Sequence, residues 1–158
     1  MKLQAAEAID ISTVLSWIAD EQSLRMWAGP AVRYPSSIES LWSDVGASED
    51  NAYILVDVER AVIGFGQILL RENNSIHLAR LIVNPALRGQ GIGRNLCEAL
   101  MDMGVSKHQP EYLTLNVYES NIAAVGLYKS LGFAVKTSED SDLVAMIKPL
   151  TSAGKGCV

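Results

Sequence analysis

The stretch Leu81-Ile82-Val83-Asn84-Pro85-Ala86-Leu87-Arg88-Gly89-Gln90-Gly91-Ile92-Gly93-Arg94 constrains this chain more than any other part of it. An apolar strand ends at a proline, glycine follows at positions 89, 91 and 93, and a long helix begins. Glycine lets a backbone turn through positive φ and approach a ligand closely. The first turn of a helix presents unpaired N–H groups at the positive end of its dipole, a ready site for phosphate. Arg88 and Arg94 add charge to the same place. A phosphate-binding P-loop would need Lys-Ser/Thr after its last glycine, and Ile92-Gly93-Arg94 stands after Gly91 instead. A dinucleotide fingerprint would need a third glycine where Arg94 stands; Glu111 does lie about 20 residues beyond Gly91, but before its strand and not at its end. The spacing that fits is Arg/Gln-x-x-Gly-x-Gly/Ala, met by Arg88, Gly91 and Gly93.

Around this turn the hydrophobic periodicity alternates between helical and strand spacing. Ile9, Val14, Leu15 and Ile18 predict a first helix within Ala6 to Ala19, and Ile38, Leu41, Trp42 and Val45 a second after Ser36 or Ser37, with Gly29-Pro30 and Tyr34-Pro35 as a loop between them. Strands are predicted over Ala52–Val58, Ala61–Leu70 and Ser75–Val83, with turns at Glu59-Arg60 and Glu72-Asn73-Asn74. A long helix from Gly91 to about Ser106, a strand Tyr112–Tyr118, a helix Asn121–Ser130 and a closing hairpin of Gly132–Lys136 with Leu143–Lys148 complete the order. Antiparallel hairpins before a strand–helix–strand unit make this an α+β pattern. The 158 residues suit one domain over 1–150 with a flexible tail over 151–158.

Composition narrows the function. The net charge of −5 argues against a nucleic-acid partner and mildly favours a cationic or neutral amine. Cys97 and Cys157 fit neither a metal site nor a disulfide framework, so no metal is expected. Neither a signal-peptide core nor a membrane-length apolar run is seen, and the expectation is a cytoplasmic protein with no membrane partner.

The turn at Arg88, Gly91 and Gly93 resembles the coenzyme A signature of the GNAT (Gcn5-related N-acetyltransferase) superfamily. Leu81-Ile82-Val83-Asn84-Pro85 resembles that family's central strand, and Asn116 to Phe133, with Asn121, Tyr128 and Gly132-Phe133, resembles its second motif. Together these cover roughly Ala52 to Lys148, and agreement between separate cues carries more than the loop alone.

The resemblance implies a mostly antiparallel sheet flanked by helices with a splayed central strand pair, and acetyl transfer from acetyl-CoA to a primary amine by direct attack in a ternary complex. It assigns coenzyme binding to the backbone of Leu81, Ile82 and Val83, to Arg88, Gly89, Gln90, Gly91, Ile92, Gly93 and Arg94, and to Asn116, Asn121 and Tyr128. The pantetheine arm would enter where a bulge splays the central strand from the next. An N–H there would polarise the thioester carbonyl, a role that needs no particular side chain. Tyr128 is the candidate general acid, seven residues after Asn121 on one helix. Some members carry a glutamate base where this chain has Asn116, which cannot take a proton. Others place a Glu or His where His77 stands, and an imidazole suits a base near neutral pH. Glu119 acting through a water, or bulk water alone, is the alternative.

The acceptor side carries Trp17, Trp27, Tyr34 and Trp42 amid acidic residues. Trp17 and Trp42 are expected in the core. Trp27 and Tyr34 are the candidate walls for a small-molecule or peptide amine. Two further readings stay open: a non-catalytic coenzyme A-binding sensor or partner module, and a nucleotide-dependent enzyme using the same turn. A homodimer through the apolar Leu143–Ile147 is possible, though a plain core strand is simpler.

Overall fold

A computed structural model describes residues 1–137 and 142–150; the tail expected to be flexible lies outside the described residues. Strands β1 (Lys2–Ala5), β2 (Ala52–Val56), β3 (Val62–Arg71), β4 (Ser75–Val83), β5 (Tyr112–Tyr118), β6 (Ala134–Thr137) and β7 (Leu143–Pro149) form one sheet in the order β1-β2-β3-β4-β5-β7-β6. The helices are α1 (Ile11–Ser16), α2 (Glu21–Ala28), α3 (Ile38–Asp44), α4 (Ile92–His108) and α5 (Ile122–Ser130). Pairing is antiparallel at β1–β2, β2–β3, β5–β7 and β6–β7 and parallel at β4–β5, where α4 supplies the long crossover that parallel strands require. This is the expected mixed α+β sheet with helices.

Two elements were not anticipated. β1 is a four-residue strand with one half-buried residue, too short and too polar for a periodic signal, and its place is fixed by its pairing with β2. α2 occupies the start of the expected loop. Asp20 caps it by accepting the Ser23 N–H at 2.8 Å, Leu24 and Ala28 bury one face, and Gly29 ends it at φ +100°. The first helix is correspondingly shorter than predicted. In α3 the expected Ser37 cap is present as a reciprocal pair with Ser40.

The chain divides into two compact units. The first comprises Met1–Ile68 with Arg80–Leu100. Its core gathers Ile11, Val14, Leu24, Leu41, Ile54 and Phe65, and Trp17, Trp27 and Trp42 all pack against it. All five residues of β2 are buried, as in a strand covered on both faces. α4 lies very close to β3: a Cβ placed on Gly66 would fall 2.6 Å from Leu100 Cδ1, and one on Gly64 3.4 Å from Leu96 Cδ2. Leu96 and Leu100 are fully buried, so neither can swing away.

The second unit comprises Leu69–Ala79 with the described residues from Met101 onward. Ile76 and Leu78 stand opposite Leu113 and Leu115 in the parallel ladder, and all four are buried. β7 lies between β5 and β6 with Met146 fully buried, the arrangement of an interior strand. No helix of the described residues is long and apolar enough to cross a membrane.

Gly66→Ala is expected to cost about 1–3 kcal/mol in urea unfolding, the usual range for overpacking, and Gly64→Ala less. An unchanged denaturation midpoint for Gly66→Ala would contradict the close approach of α4.

Candidate active site

The phosphate-binding candidate forms as the glycine spacing suggests. Asn84 leaves β4 and turns the chain: its side chain accepts from the Ala86 N–H at 3.0 Å, and its own N–H donates to the Ile63 carbonyl at 2.9 Å. A short 3-10 turn, Pro85–Leu87, follows. Gly89 and Gly91 take φ of +80° and +78°, with nothing within 4 Å of where a side chain would start. These positions need glycine for its conformation and leave open room in front of the backbone. The Gly91 carbonyl accepts the first helical bond, from the Asn95 N–H at 3.1 Å, so Ile92, Gly93 and Arg94 occupy the first turn, at the positive end of the helix dipole. Arg88, Gly89, Gln90 and Gly91 are exposed, whereas Ile92 is buried and anchors the helix start. Arg94 reaches Glu98 at 3.7 Å along the same helix. This cradle fits a pyrophosphate group by backbone donors and by room.

β4 carries the second feature. Arg80 sits in mid-strand at φ +54°, a left-handed conformation that costs a non-glycine residue roughly 1–2 kcal/mol. The parallel ladder with β5 covers Ser75–Leu78 against Tyr112–Leu115, and β4 runs on through Arg80 to Val83. The bulge expected in the central strand is therefore at Arg80. Strand alternation cannot be carried past it. Beyond the kink, Leu81 faces the Gly66–Leu100 contact and Ile82 packs against the core of the first unit.

In the second unit, Asn121 caps α5, accepting the Ala124 N–H at 3.3 Å. Tyr128 is half-buried, with its ring edge-on to Phe133 at 6.2 Å between centroids. The Tyr128 carbonyl accepts the Phe133 N–H at 3.0 Å, which closes the Leu131-Gly132 turn beneath the ring. Lys148 Nζ donates to the Leu131 carbonyl at 2.8 Å and steadies the same turn. Asn116 is exposed on β5 opposite Ala145. His77 lies in the laddered part of β4, its Nδ1 2.7 Å from Thr114 Oγ1. Glu119 is exposed.

The acceptor-side candidates separate. Trp27 meets Phe65 edge-on at 5.8 Å and donates its indole N–H to the Arg80 carbonyl at 2.8 Å. Tyr34 is about half exposed, 48%. It lies in a loop fixed by Arg33, whose guanidinium grips Asp44 at 2.8 Å and whose N–H donates to the same carboxylate at 2.9 Å. The Arg33 side-chain and backbone N–H bonds hold the Asp44 carboxyl below its ordinary value. Sequence reasoning missed Arg80 and Gln67. Their signal was a charged and a polar residue inside otherwise apolar strands, since such groups need partners when buried.

A lowered carboxyl stabilises the fold above the unfolded value, about 3.9, and that contribution is lost as pH falls through the folded one. Arg33→Met is therefore expected to melt below wild type at pH 7, with the gap in Tm closing below about pH 4. A gap that does not narrow at all as the pH falls below about 4 would contradict the pairing.

Residues 14–133 match the acetyltransferase (GNAT) family. The chain is 33% identical over 117 residues to the peptidyl-lysine N-acetyltransferase YjaB of Salmonella typhimurium, covering 74% of this chain and 72% of that one. It is 34% identical over 100 residues to the [ribosomal protein bS18]-alanine N-acetyltransferase of Escherichia coli, covering 63% of this chain and 65% of that one. The fold matches spermidine N-acetyltransferase from Vibrio cholerae in complex with CoA and spermine, with a TM-score of 0.74, 19% identity and 94% of each chain covered. On the family match and on these relatives, the chain belongs to the GNAT acetyltransferase family and is an acetyl-CoA-dependent N-acetyltransferase.

Proposed function

We propose that the chain acetylates a primary amine of a peptide, with lysine side chains the first class to test, by direct attack in a ternary complex. The observation that carries the donor half is the turn at Arg88–Arg94, with its two left-handed glycines and the open first turn of α4. Support for a peptide acceptor is the identity to a peptidyl-lysine enzyme over most of both chains. Tyr34, exposed on a loop braced by Arg33 and Asp44, is the better-placed acceptor contact of the two aromatic candidates. A cytoplasmic setting accompanies this reading, since acetyl-CoA and ribosome-made peptides meet there.

When bound, acetyl-CoA supplies the acetyl group as a thioester. In this reading the N–H groups of Ile92, Gly93 and Arg94 and the charge of Arg88 hold the pyrophosphate, as a helix start holds anions. The backbone of Leu81–Val83 orients the pantetheine arm and offers an N–H to the carbonyl oxygen, the type of preformed donor that stabilises developing negative charge. Asn116 and Asn121 are the candidate side-chain partners of the coenzyme. Asn121 already caps α5 through its side-chain oxygen and keeps its amide N–H₂ for that role. Tyr128 places a phenol proton for the departing sulfur, with its ring held edge-on by Phe133.

The amine proton leaves through water. His77 stands in the laddered part of β4, before the kink at Arg80. Its Nδ1 is also engaged by Thr114.

Release of coenzyme A thiol from acetyl-CoA is to be followed with lysine peptides, N-terminal-amine peptides and polyamines. Tyr128→Phe is expected to lower kcat about a hundredfold with acetyl-CoA binding unchanged. His77→Ala is expected to stay within about threefold with an unshifted pH profile; a loss as deep as that of Tyr128→Phe would restore His77 as the base. Turnover of polyamines but of no peptide would replace the acceptor class.

A further inference from the structure

Arg80 is held by two separate segments of the first unit, the end of α2 and the middle of β3. Its carbonyl accepts the Trp27 indole N–H at 2.8 Å. Its Nε donates to the Ala28 carbonyl at 3.0 Å, in the last turn of α2, where the helix dipole favours a cation. Its Nη1 donates to Gln67 Oε1 at 3.0 Å. Gln67 has no exposed surface, and its amide continues to the Val45 carbonyl at 3.1 Å and to Asn51 Oδ1 at 3.3 Å. Asn51 in turn bonds the Gly46 carbonyl and the Ser48 N–H, so the chain of bonds ends in the turn between α3 and β2.

This arrangement does more than satisfy buried polar atoms. A non-glycine residue persists in the left-handed region only when its surroundings over-determine it. Here one bond holds the carbonyl and others hold the side chain of the same residue, so both the peptide plane and the Cα of Arg80 are fixed. That residue immediately precedes Leu81. Its ψ sets the direction of the Leu81 N–H and, through it, the path of the segment that offers backbone donors to the coenzyme. A donor displaced by about 1 Å loses much of its effect on a developing charge.

We propose that Arg80 is a positioning residue for acetyl transfer: with Trp27 and Gln67 it locks the left-handed kink of β4 and so aims the Leu81–Val83 amides at the thioester carbonyl. This rests on the reading that those amides meet the thioester. It also gives Trp27 a role other than that of an acceptor wall, since its N–H is spent on the kink.

Two variants remove different parts of the clamp. Arg80→Gly keeps the backbone free to adopt positive φ and deletes the guanidinium. Trp27→Phe keeps a ring against Phe65 and deletes only the N–H. The readouts are acetyl-CoA affinity by calorimetry, the infrared stretch of carbonyl-13C acetyl-CoA bound without acceptor, and kcat with a lysine peptide or any other amine the wild type turns over. Wild type is expected to shift the carbonyl stretch below that of free acetyl-CoA. Both variants are expected to bind acetyl-CoA within threefold of wild type, to return the stretch toward the free value, and to lose kcat tenfold or more. The double variant is expected to fall no more than threefold below the weaker single, because both changes disable one device. Variants that are less stable yet keep the wild-type stretch and kcat per folded molecule would overturn the proposal and leave Arg80 a purely structural residue. If Arg80→Gly does not fold, Trp27→Phe alone decides on the same readouts. A wild type that does not bind acetyl-CoA would overturn the coenzyme reading itself, and one that binds it without shifting the stretch would overturn only the aiming of the amides.

Discussion

A strand that parts from its neighbour on one edge loses the ladder on that side, so the turn it takes there must be held by other bonds. In this protein the ladder between β4 and β5 accounts for Ser75–Leu78, and the strand then turns at Arg80 through a conformation unfavourable for any side-chain-bearing residue. The bonds from Arg80 to Trp27, Ala28 and Gln67 supply the restraint from the side. The two bonds donated by the guanidinium, to Ala28 and Gln67, contribute on the order of 1.5–3 kcal/mol each, enough to offset a left-handed penalty of about 1–2 kcal/mol. The strained residue is thereby a stable one.

The same economy appears at the phosphate turn and at α5. Gly89 and Gly91 turn the chain where no side chain is wanted, and buried Ile92 and Leu96 then seat α4 against β3. Gly64 and Gly66 let that helix come close enough for Leu96 and Leu100 to fill the space above the sheet. In the second unit, Asn121 begins α5, and the Leu131-Gly132 turn, tied by Lys148, returns Phe133 to the Tyr128 ring. In each case the polar group that would act is set by packing beneath it.

Much of this was legible in the order of residues, because the relevant signals are local. Glycine spacing after a proline-ended strand located the turn, and strand and helix periodicity located β4, β5 and α5 nearly to the residue. α2 was obscured because Gly29-Pro30 drew attention to the loop, although Asp20, Leu24 and Ala28 already spelled a capped helix. β1 could not be found from four residues whose position depends on a partner about fifty residues away. The Arg80 clamp was out of reach for the same reason: Trp27, Gln67 and Arg80 are ordinary residues until the fold brings them together. His77 was read as a base from its position in a motif, which does not carry the Thr114 hydroxyl that lies 2.7 Å from its Nδ1.

The sharing of Trp27 bears on how such an enzyme can change what it acetylates. Backbone groups that hold a donor molecule tolerate drift in nearly every side chain around them, so the acceptor side is free to diversify while the donor side stays fixed. Positions 27, 28 and 80 are the exception, since a change made in α2 to suit a new amine is felt in β4. The loop of Tyr34 is tied as well, to α3 through the Arg33–Asp44 pair and to α2 through Arg25, which donates to the Pro30 and Val32 carbonyls. A change made in α2 is therefore felt both in that loop and in the kink of β4.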